Sequence, residues 1–296
     1  MTLDRRQFLK LTAAGGSAVL YSALPGCSTT GPGATSDFYF VQLSDVHWGF
    51  NGPAVNPDAK GTLPKAIAAV NALDPQPDFI VFTGDLTHTT DDPVERRRRL
   101  REFREIASRL RNPNVHFMAG EHDASLDRGE AWKEFFGETH YAFDHRGVHF
   151  VALDNVSDPG AKLGEAQLAW LAADLAKQPK DAPLVVLAHR PLFDLAPEWD
   201  WATRDGAQAI ELLMPFRNAT VFYGHIHQEN HHMTGHIAHH SAKSLIFALP
   251  APRSQPKREP IKWDPANPYR GLGYRDVATA DGGARLAITE HPVRKG

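Results

Sequence analysis

Five apolar runs of the 296-residue chain end on side chains of the kinds that bind metal ions. These side chains are Asp45 and His47 in S-D-V-H, Asp85 in T-G-D-L, Glu121, His122 and Asp123 in G-E-H-D, His189 in A-H-R-P, and His225 and His227 in G-H-I-H. Carboxylate oxygens together with imidazole nitrogens suit Fe, Mn, Zn and Ni, and the set does not choose among them. Each motif alone occurs often by chance, but five in order along one chain indicate a shared metal centre.

The elements that must position these residues alternate between short apolar runs and helical patterns. The predicted strands cover residues 38–43, 79–82, 115–119, 141–143, 148–153, 184–188, 221–223 and 245–247, with a final pair near 275–278 and 284–289. The predicted helices cover residues 64–73, 93–110 and 164–177. This alternation predicts a layered α/β fold, in which ligand sites form outside the carboxyl ends of the strands. Glycines beside three of the motifs let the backbone approach a crowded centre.

The ordered motifs resemble those of calcineurin-like metallophosphoesterases over roughly residues 38–249. The family pattern is D-x-H, then G-D, then G-N-H-D/E, then a histidine, then G-H-x-H. The resemblance implies a four-layer α-β-β-α sandwich with two mixed sheets. It also implies a centre of two transition-metal ions (Fe, Mn or Zn). In that centre one ion would be held by Asp45, His47 and His227, the other by His189 and His225, with Asp85 as the bridge.

The resemblance also implies the chemistry of the site and a role for the pair that follows Glu121. His122 would stand beside the metal ions as a donor to the phosphate or to the leaving oxygen, and Asp123 would orient it. An imidazole outside the ligand shell can stay protonated near neutral pH and neutralise charge in the transition state. A water activated between the two ions would attack a phosphate monoester or diester in line.

Glu121 departs from the family pattern, which usually has asparagine at this position. Asparagine binds through a neutral carbonyl oxygen, whereas glutamate is longer and negatively charged. With two divalent ions, a third carboxylate lowers the net charge of the centre from about +2 to about +1. Our hypothesis is that Glu121 is a metal ligand that alters the metal preference or the substrate class. The alternative is that it turns away and pairs with a neighbour such as Arg190.

Candidate substrate-binding residues lie close to the last motifs. Arg190 directly follows His189 and would either contact a phosphate or neutralise Glu121. Trp199 and Trp201 lie in a loop after the same strand, where they would either line a substrate pocket or pack beneath the loop.

Residues 231–240 hold five further histidines beyond the last motif. They would form either an auxiliary transition-metal site, with Met233 as a soft neighbour, or a polar hairpin that turns at Thr234-Gly235. The absence of a regular ligand spacing favours the hairpin interpretation.

The N-terminus is typical of an exported protein. Residues 1–27 contain an arginine pair, Arg5-Arg6, followed by an apolar segment that is too short and too weak to span a membrane. This pattern predicts a signal peptide of the twin-arginine type and a periplasmic or otherwise exported location. Cys27 in L-P-G-C is either lipidated after cleavage, which would anchor the protein to a membrane, or removed or left free by ordinary cleavage nearby.

The remaining chain is predicted to contain one domain. Residues 28–36 form a polar linker rich in Gly, Pro and Thr, and residues 37–296 form a single metallophosphoesterase domain. Within it, residues 250–270 hold many prolines and little periodicity, which predicts an ordered wrap across the surface anchored by Trp263 and Tyr269.

The composition limits the partners and the function. A net charge of −3 gives no general attraction to nucleic acid, and a single cysteine excludes intramolecular disulfides and cysteine-based metal sites. The sequence therefore predicts an exported, binuclear metal-dependent phosphoesterase acting on a phosphoester substrate. The alternative is a periplasmic metal-binding or metal-handling protein on the same fold with little hydrolytic activity. The sequence does not indicate an oligomeric state.

Overall fold

The fold is built on two six-stranded mixed sheets. The structure, a computed structural model, describes residues 18–21 and 37–294. The predicted linker and most of the predicted signal peptide lie outside the described residues. Within that peptide, the backbone of Ala18–Tyr21 (β1) pairs antiparallel with the last strand of the chain.

The first sheet contains β1 and five strands from both halves of the domain. These strands are Tyr39–Leu43 (β2), Phe79–Thr83 (β3), Val115–Met118 (β4), Gly273–Ala280 (β11) and Arg285–Pro292 (β12). Their order is β1-β12-β11-β2-β3-β4, and the neighbours β2, β3 and β4 run parallel. The parallel strands therefore end at the same edge of the sheet.

The second sheet is formed by the middle of the chain. Its strands are Tyr141–His145 (β5), Val148–Ala152 (β6), Pro183–Leu187 (β7), Asn218–Tyr223 (β8), Asn230–Thr234 (β9) and Ile237–Ser241 (β10). Their order is β5-β6-β7-β8-β10-β9, and β6, β7, β8 and β10 run parallel. The predicted hairpin turn after Thr234 is confirmed by the antiparallel pairing of β9 with β10.

Helices cover the outer faces of both sheets. They are Thr62–Asn71 (α1), Pro93–Ala107 (α2), Glu121–Ala124 (α3), Glu130–Phe136 (α4), Glu165–Leu175 (α5) and Gly206–Leu213 (α6). Short 3₁₀ turns occupy Pro197–Trp199 and Asp281–Gly283. In the described part of the chain, no helix is long and apolar enough to cross a membrane.

Three apolar layers separate the four layers of secondary structure. Phe40, Phe79 and Phe150 fill the space between the two sheets. Alternate residues of the same strands, such as Val41 and Phe82, face the opposite way and pack against α1 and α2. A third cluster joins α5 and α6 to the second sheet. The strands are apolar on both faces because both faces are covered, and the predicted α-β-β-α sandwich is confirmed.

The structure corrects the sequence prediction at one strand. Residues 245–247 were predicted to be a strand, but they are irregular. The N–H of Leu245 donates to the carbonyls of Ser44 and Asp45, so this segment closes over the loop after β2 instead of joining a sheet. The helices α4 and α6 were not predicted, whereas the final strand pair is confirmed as β11 and β12.

Residues 251–270 contain neither helix nor strand; they lie mostly exposed at the surface and form a series of turns and bends. The backbone N–H of Trp263 donates to the carbonyl of Ala54, and the Tyr269 hydroxyl donates to the Asp58 carboxylate at 2.8 Å. The indole ring of Trp263 remains partly exposed.

Candidate metal centre

The predicted ligand residues follow the carboxyl ends of five strands, namely β2, β3, β4, β7 and β8. Backbone and carboxylate contacts tie these ends to one another. The N–H of His47 donates to the carbonyl of Asp85 at 2.8 Å, and the N–H of His122 donates to Asp85 Oδ1 at 2.9 Å. Across the two sheets, the N–H of His225 donates to Asp45 Oδ1 at 3.0 Å. Loops from both sheets therefore enclose one common site.

Five of the predicted ligands adopt a left-handed backbone conformation, which is uncommon for residues other than glycine. Their φ angles lie between 47° and 66°, and the residues are Asp45, His47, Asp85, His225 and His227. Such a conformation costs roughly 1–2 kcal/mol per residue and persists only where the surroundings enforce it. The backbone is strained at five positions of one site, which indicates that the surrounding contacts hold these side chains in place at the expense of backbone energy.

Glycines make room where these loops meet. A Cβ atom at Gly120 would lie 2.1 Å from Asp85 Oδ1, and one at Gly224 would lie 2.1 Å from the Ser44 hydroxyl oxygen. At Gly84 a Cβ would lie 2.2 Å from His189 Nδ1, and the φ of +94° also favours glycine. The glycines beside the motifs are therefore required by close packing around the side chains of the site.

The side chains form two groups that share one carboxylate. Asp45, His47, Asp85 and His227 form the first group; Asp85, Glu121, His189 and His225 form the second. In each group, one potential ligand atom from every residue lies within 4.8 Å of the others. The structure thus brings together all seven residues predicted as metal ligands, with Asp85 in the position expected of a bridge.

In the first group, two imidazole nitrogens face each other without a carboxylate between them. His47 Nε2 lies 3.1 Å from His227 Nε2 and 3.3 Å from Asp85 Oδ2, and all three residues are buried. The Nδ1–H of His227 donates to the carbonyl of Phe247 at 2.8 Å, so its Nε2 presents a lone pair to the site. A cation fits this arrangement because it would bind the lone pair of His227 Nε2, the Asp85 carboxylate and, when the proton of His47 is on Nδ1, the lone pair of His47 Nε2.

In the second group, the histidines are held by backbone carbonyls on their outer sides. His189 Nδ1–H donates to the carbonyl of Thr83 at 2.7 Å, and its fully buried Nε2 lies 2.8 Å from Glu121 Oε2. His225 Nε2–H donates to the carbonyl of Asp200 at 2.9 Å, and its Nδ1 lies 2.8 Å from Glu121 Oε1. Metal-binding histidines are commonly fixed in this way, with the other ring nitrogen directed into the site.

The charges of the second group are strongly coupled. Burial opposes the charged form of His189, but Asp85 and Glu121 outweigh it and raise the pKa of His189 well above its usual range. Burial likewise opposes ionisation of Glu121, but His225, Arg190 and His189 outweigh it and hold the pKa of Glu121 well below its usual range. In the second group, the carboxylates are therefore ionised and are stabilised by a positive charge close to them. Either a proton on His189 or a metal ion supplies that charge.

Glu121 turns into the site, as our hypothesis requires. Its carboxylate contacts both histidines of the second group, and Nη2 of Arg190 lies 3.9 Å from Oε2. The alternative in which Glu121 turns away from the site is therefore wrong, and Arg190 lies behind a carboxylate that faces the site.

His122 lies beside the two groups at the solvent side. Its side chain is 24% exposed, and its Nε2 lies 3.9 Å from Asp85 Oδ2. The N–H of Thr89 donates to His122 Nδ1 at 3.0 Å, so the neutral ring carries its proton on Nε2 and points it into the site. This position fits the predicted role of a donor to phosphate or leaving oxygen.

Asp123 makes no hydrogen bond to His122, although the resemblance implied that it would orient this ring. Its buried carboxylate accepts the backbone N–H groups of Gly120, Leu86 and Thr87, and the Thr87 hydroxyl, at 2.8–2.9 Å. Burial and the nearby Asp85 carboxylate raise the pKa of Asp123 to about 7, while the backbone N–H groups oppose that shift. Asp123 therefore anchors the loop after Asp85, and the predicted direct orientation of His122 by Asp123 is wrong.

The predicted substrate contacts of Arg190, Trp199 and Trp201 are also corrected. Trp199 and Trp201 are 5% and 0% exposed and pack edge to face in an apolar cluster beneath their loop. Arg190 is buried as well, and its Nη1 lies 2.6 Å from Asp200 Oδ1 and 2.8 Å from the carbonyl of Asp200. The two tryptophans flank Asp200 and Arg190 bonds to it, so Asp200 is held in place. The carbonyl of Asp200 in turn accepts the Nε2–H of His225.

The histidine-rich segment forms the hairpin β9–β10. His231 pairs across the hairpin with His240, their Nδ1 atoms 2.7 Å apart, and His232 is the cross-strand partner of His239. The candidate metal groups among the described residues include none of these histidines. The observed structure is therefore that of the hairpin interpretation.

One residue of the site was not singled out from the sequence. His88 forms a third group with His47 and His122. It follows Asp85 by three positions in G-D-L-T-H, and this place after a ligand at a strand end was the signal that could have found it.

The chain belongs to the calcineurin-like phosphoesterase family, whose family model matches residues 38–229. A probable cyclic nucleotide phosphodiesterase of Rhodopseudomonas palustris is 30% identical over 170 residues, which cover 52% of this chain and 58% of that relative. The serine/threonine-protein phosphatase CPPED1 of Danio rerio is 27% identical over 64% of this chain and 70% of its own length. The chain thus spans somewhat more than half of the R. palustris relative.

Solved structures confirm the fold. A purple acid phosphatase from yellow lupin superposes with a TM-score of 0.60 at 15% identity, over 85% of this chain and 51% of that one. A dimetal phosphatase from Danio rerio superposes with a TM-score of 0.56 at 15% identity, over 86% of this chain and 99% of that one.

We expect Gly84→Ala to disrupt the second group, because its Cβ would meet the His189 ring at 2.2 Å. Gly164→Ala is the matched control, since Gly164 also has a positive φ (+80°) but nothing lies within 4 Å of the added Cβ. Both variants should lose roughly 1–3 kcal/mol of stability from backbone strain, since Gly164, with a ψ of 162°, also lies in a region that other residues rarely adopt. Isothermal titration with Mn²⁺ or Zn²⁺ should show weakened binding for Gly84→Ala alone; equal binding by both would contradict this account of the glycine.

Metal binding should release a proton, because the raised pKa of His189 leaves its ring protonated in the metal-free protein near neutral pH. Metal affinity should fall as the pH drops below that raised pKa, since the metal must then displace the proton. Calorimetric titrations in two buffers of different ionisation enthalpy measure the release, and His189→Asn should reduce it. Equal apparent enthalpies in both buffers would contradict the expected linkage.

Proposed function

We propose that this protein is a binuclear metal-dependent phosphoesterase that hydrolyses a phosphate ester with water. The observation that carries the proposal is the pair of four-residue groups that share the Asp85 carboxylate. Metal ions held in such a pair supply Lewis-acid activation of water and neutralise charge on the phosphate. Fe, Mn and Zn all suit the donor set.

The residues of the site have two roles, metal binding and hydrogen bonding to the phosphoester. Asp45, His47 and His227 would hold one ion, and Glu121, His189 and His225 the other, with Asp85 between them. His122 has the geometry of a hydrogen-bond donor to the phosphate or to the leaving oxygen. Its Nε2–H faces the site, its side chain remains accessible to a substrate, and the N–H of Thr89 holds the ring in this tautomer.

The third carboxylate favours a phosphodiester over a phosphomonoester. A monoester near neutral pH carries close to two negative charges and a diester carries one, so lowering the charge of the centre weakens attraction for the monoester more strongly. The Glu121 carboxylate adds that negative charge within 2.8 Å of His189 and His225. The similarity to a probable cyclic nucleotide phosphodiesterase supports the same class.

We also propose that the protein is exported. The support is the Arg5-Arg6 pair, the short apolar segment after it and the linker at residues 28–36. A twin-arginine pathway carries folded proteins, so the metal ions could be loaded before export. Lipid attachment at Cys27 remains an alternative to simple release, and mass spectrometry of the protein from its own host distinguishes the two.

A metal-handling protein is the second candidate function, and Glu121 is the observation that favours it. An additional carboxylate increases affinity for cations while it weakens attraction for a phosphate anion. Such a protein would retain the metal centre and turn over slowly.

We expect the purified protein loaded with Mn²⁺ or Fe²⁺ to hydrolyse bis(p-nitrophenyl) phosphate faster than p-nitrophenyl phosphate. His122→Ala should lower kcat by about 10²–10³-fold through loss of this hydrogen-bond donor, with metal content unchanged. Asp85→Ala should lose both metal and turnover. His140→Ala is the control, because His140 packs against Trp170 and belongs to none of the candidate metal groups among the described residues.

Two results would decide between the functions. Tight metal binding without turnover of either ester would favour the metal-handling protein. Turnover that survives Asp85→Ala would contradict the proposed metal centre.

Glu121→Asn restores the usual family residue and should weaken metal binding in the second group while it raises monoester turnover relative to diester turnover. The charge of the centre rises when the carboxylate is removed, which accounts for both changes. Metal analysis and kcat/KM for the two nitrophenyl esters measure them. Glu198→Gln is the matched control, since Glu198 is exposed and pairs with Arg253. Unchanged metal content and unchanged rates in Glu121→Asn would refute the role of Glu121.

A further inference from the structure

We infer that His88 is a positioning residue whose Nδ1 accepts the Nδ1–H of His47 when His47 binds a metal ion through Nε2. The inference rests on the proposed metal centre and concerns a residue outside the family motifs. Nδ1 of His88 lies 3.2 Å from Nδ1 of His47, and the two rings are tilted by 54° with their centroids 5.4 Å apart.

His47 is fixed differently from the other three histidines of the two groups. Each of those donates its outward ring N–H to a backbone carbonyl, at Thr83, Asp200 and Phe247 for His189, His225 and His227 respectively. A carbonyl only accepts hydrogen bonds, so it allows one tautomer. The outward nitrogen of His47 instead faces another imidazole, which can donate or accept.

The direction of this N–H···N bond decides whether His47 can bind a metal. When His47 Nδ1 donates, His88 Nδ1 accepts and His47 Nε2 presents its lone pair to Asp85 Oδ2 at 3.3 Å and His227 Nε2 at 3.1 Å. When His88 donates, the proton of a neutral His47 is on Nε2 and blocks the metal position. Metal binding therefore requires His88 to carry its own proton on Nε2.

The ring of His88 is held firmly enough to perform this role. Its backbone N–H donates to the carbonyl of Trp48 at 2.9 Å, and Nη1 of Arg99 donates to the carbonyl of His88 at 2.8 Å. Phe50 packs edge-on against the ring, with centroids 5.2 Å apart. His122 stacks on it at 5.0 Å and 25°. His88 thus contacts the proposed ligand His47 through a nitrogen and the proposed donor His122 through its ring face.

A third metal ion held by His47, His88 and His122 does not fit the hydrogen bonds. The Thr89 N–H occupies the lone pair of His122 Nδ1, so the other nitrogen of the neutral ring is protonated. His47 Nδ1 must also be protonated when its Nε2 binds the metal of the first group. Two of the three rings therefore have no lone pair to offer, and the group acts as a hydrogen-bonded support.

Two substitutions distinguish the contribution of the His88 Nδ1 acceptor from that of the packing of its aromatic ring. His88→Phe keeps an aromatic ring against Phe50 and His122 but removes the acceptor for His47. His88→Asn keeps an acceptor oxygen but removes the ring. We expect His88→Phe to weaken the binding of Zn²⁺ or Mn²⁺ at the first group by about 10–100-fold, the usual effect of removing a hydrogen-bond partner of a metal ligand. The metal affinity of His88→Asn should remain within a few-fold of that of the wild type.

The measurement is competition with a chelator of known affinity on the full-length protein, with circular dichroism to show that each variant folds. Wild-type affinity in His88→Phe would overturn the inference while leaving the metal centre intact. Failure of the wild-type protein to bind metal would overturn both the inference and the proposed function. Equal losses in His88→Phe and His88→Asn would also overturn it, because the acceptor would then not be what matters.

A spectrum of the wild-type protein keeps the test independent of variant folding. Long-range ¹H–¹⁵N correlation spectra distinguish protonated from unprotonated ring nitrogens. In the zinc-loaded protein we expect protonated Nδ1 on His47 and unprotonated Nδ1 with protonated Nε2 on His88. A protonated Nδ1 on His88 would overturn the assignment.

Discussion

The rest of the site depends on the position of the Asp85 carboxylate. Its Oδ2 lies 3.3 Å from His47 Nε2 in the first group and 3.5 Å from His189 Nε2 in the second, while Oδ1 accepts the N–H of His122. Asp85 follows β3 in the first sheet, and His189 follows β7 in the second. One carboxylate therefore couples the two sheets, and the apolar layer of aromatic rings between them sets the distance across which it acts.

The site contains features that destabilise a folded protein when they are not compensated. Charged and polar side chains are buried together, and five ligand-type residues are held in the left-handed region. Burying each ion costs several kcal/mol unless an opposite charge compensates it. Metal ions in the two groups would provide that compensation, so the cost of the metal-free arrangement is itself an argument for the proposed function.

The sequence predicted those features that depend on local pattern. Asp85 and His189 could be assigned to the site because each directly follows an apolar run, and ligand sites of α/β folds form at the carboxyl ends of strands. The helix α2 could be predicted from its long helical pattern with a charged outer face. It did not predict contacts between distant segments. The bonds of Asp123 to Leu86 and Thr87, and the burial of Trp201, depend on packing that no local pattern records. Residues 245–247 were misassigned for the same reason, because their partners lie some two hundred positions earlier.

The central claim is that two metal ions share Asp85. A crystal structure of the protein loaded with Mn²⁺ or Zn²⁺, with anomalous scattering recorded at the metal edge, tests it most directly. We predict two peaks about 3.5–4 Å apart, each in contact with an oxygen of Asp85, with Glu121 bound to the ion on the side of His189 and His225. A single peak, or two peaks of which only one contacts Asp85, would contradict the account.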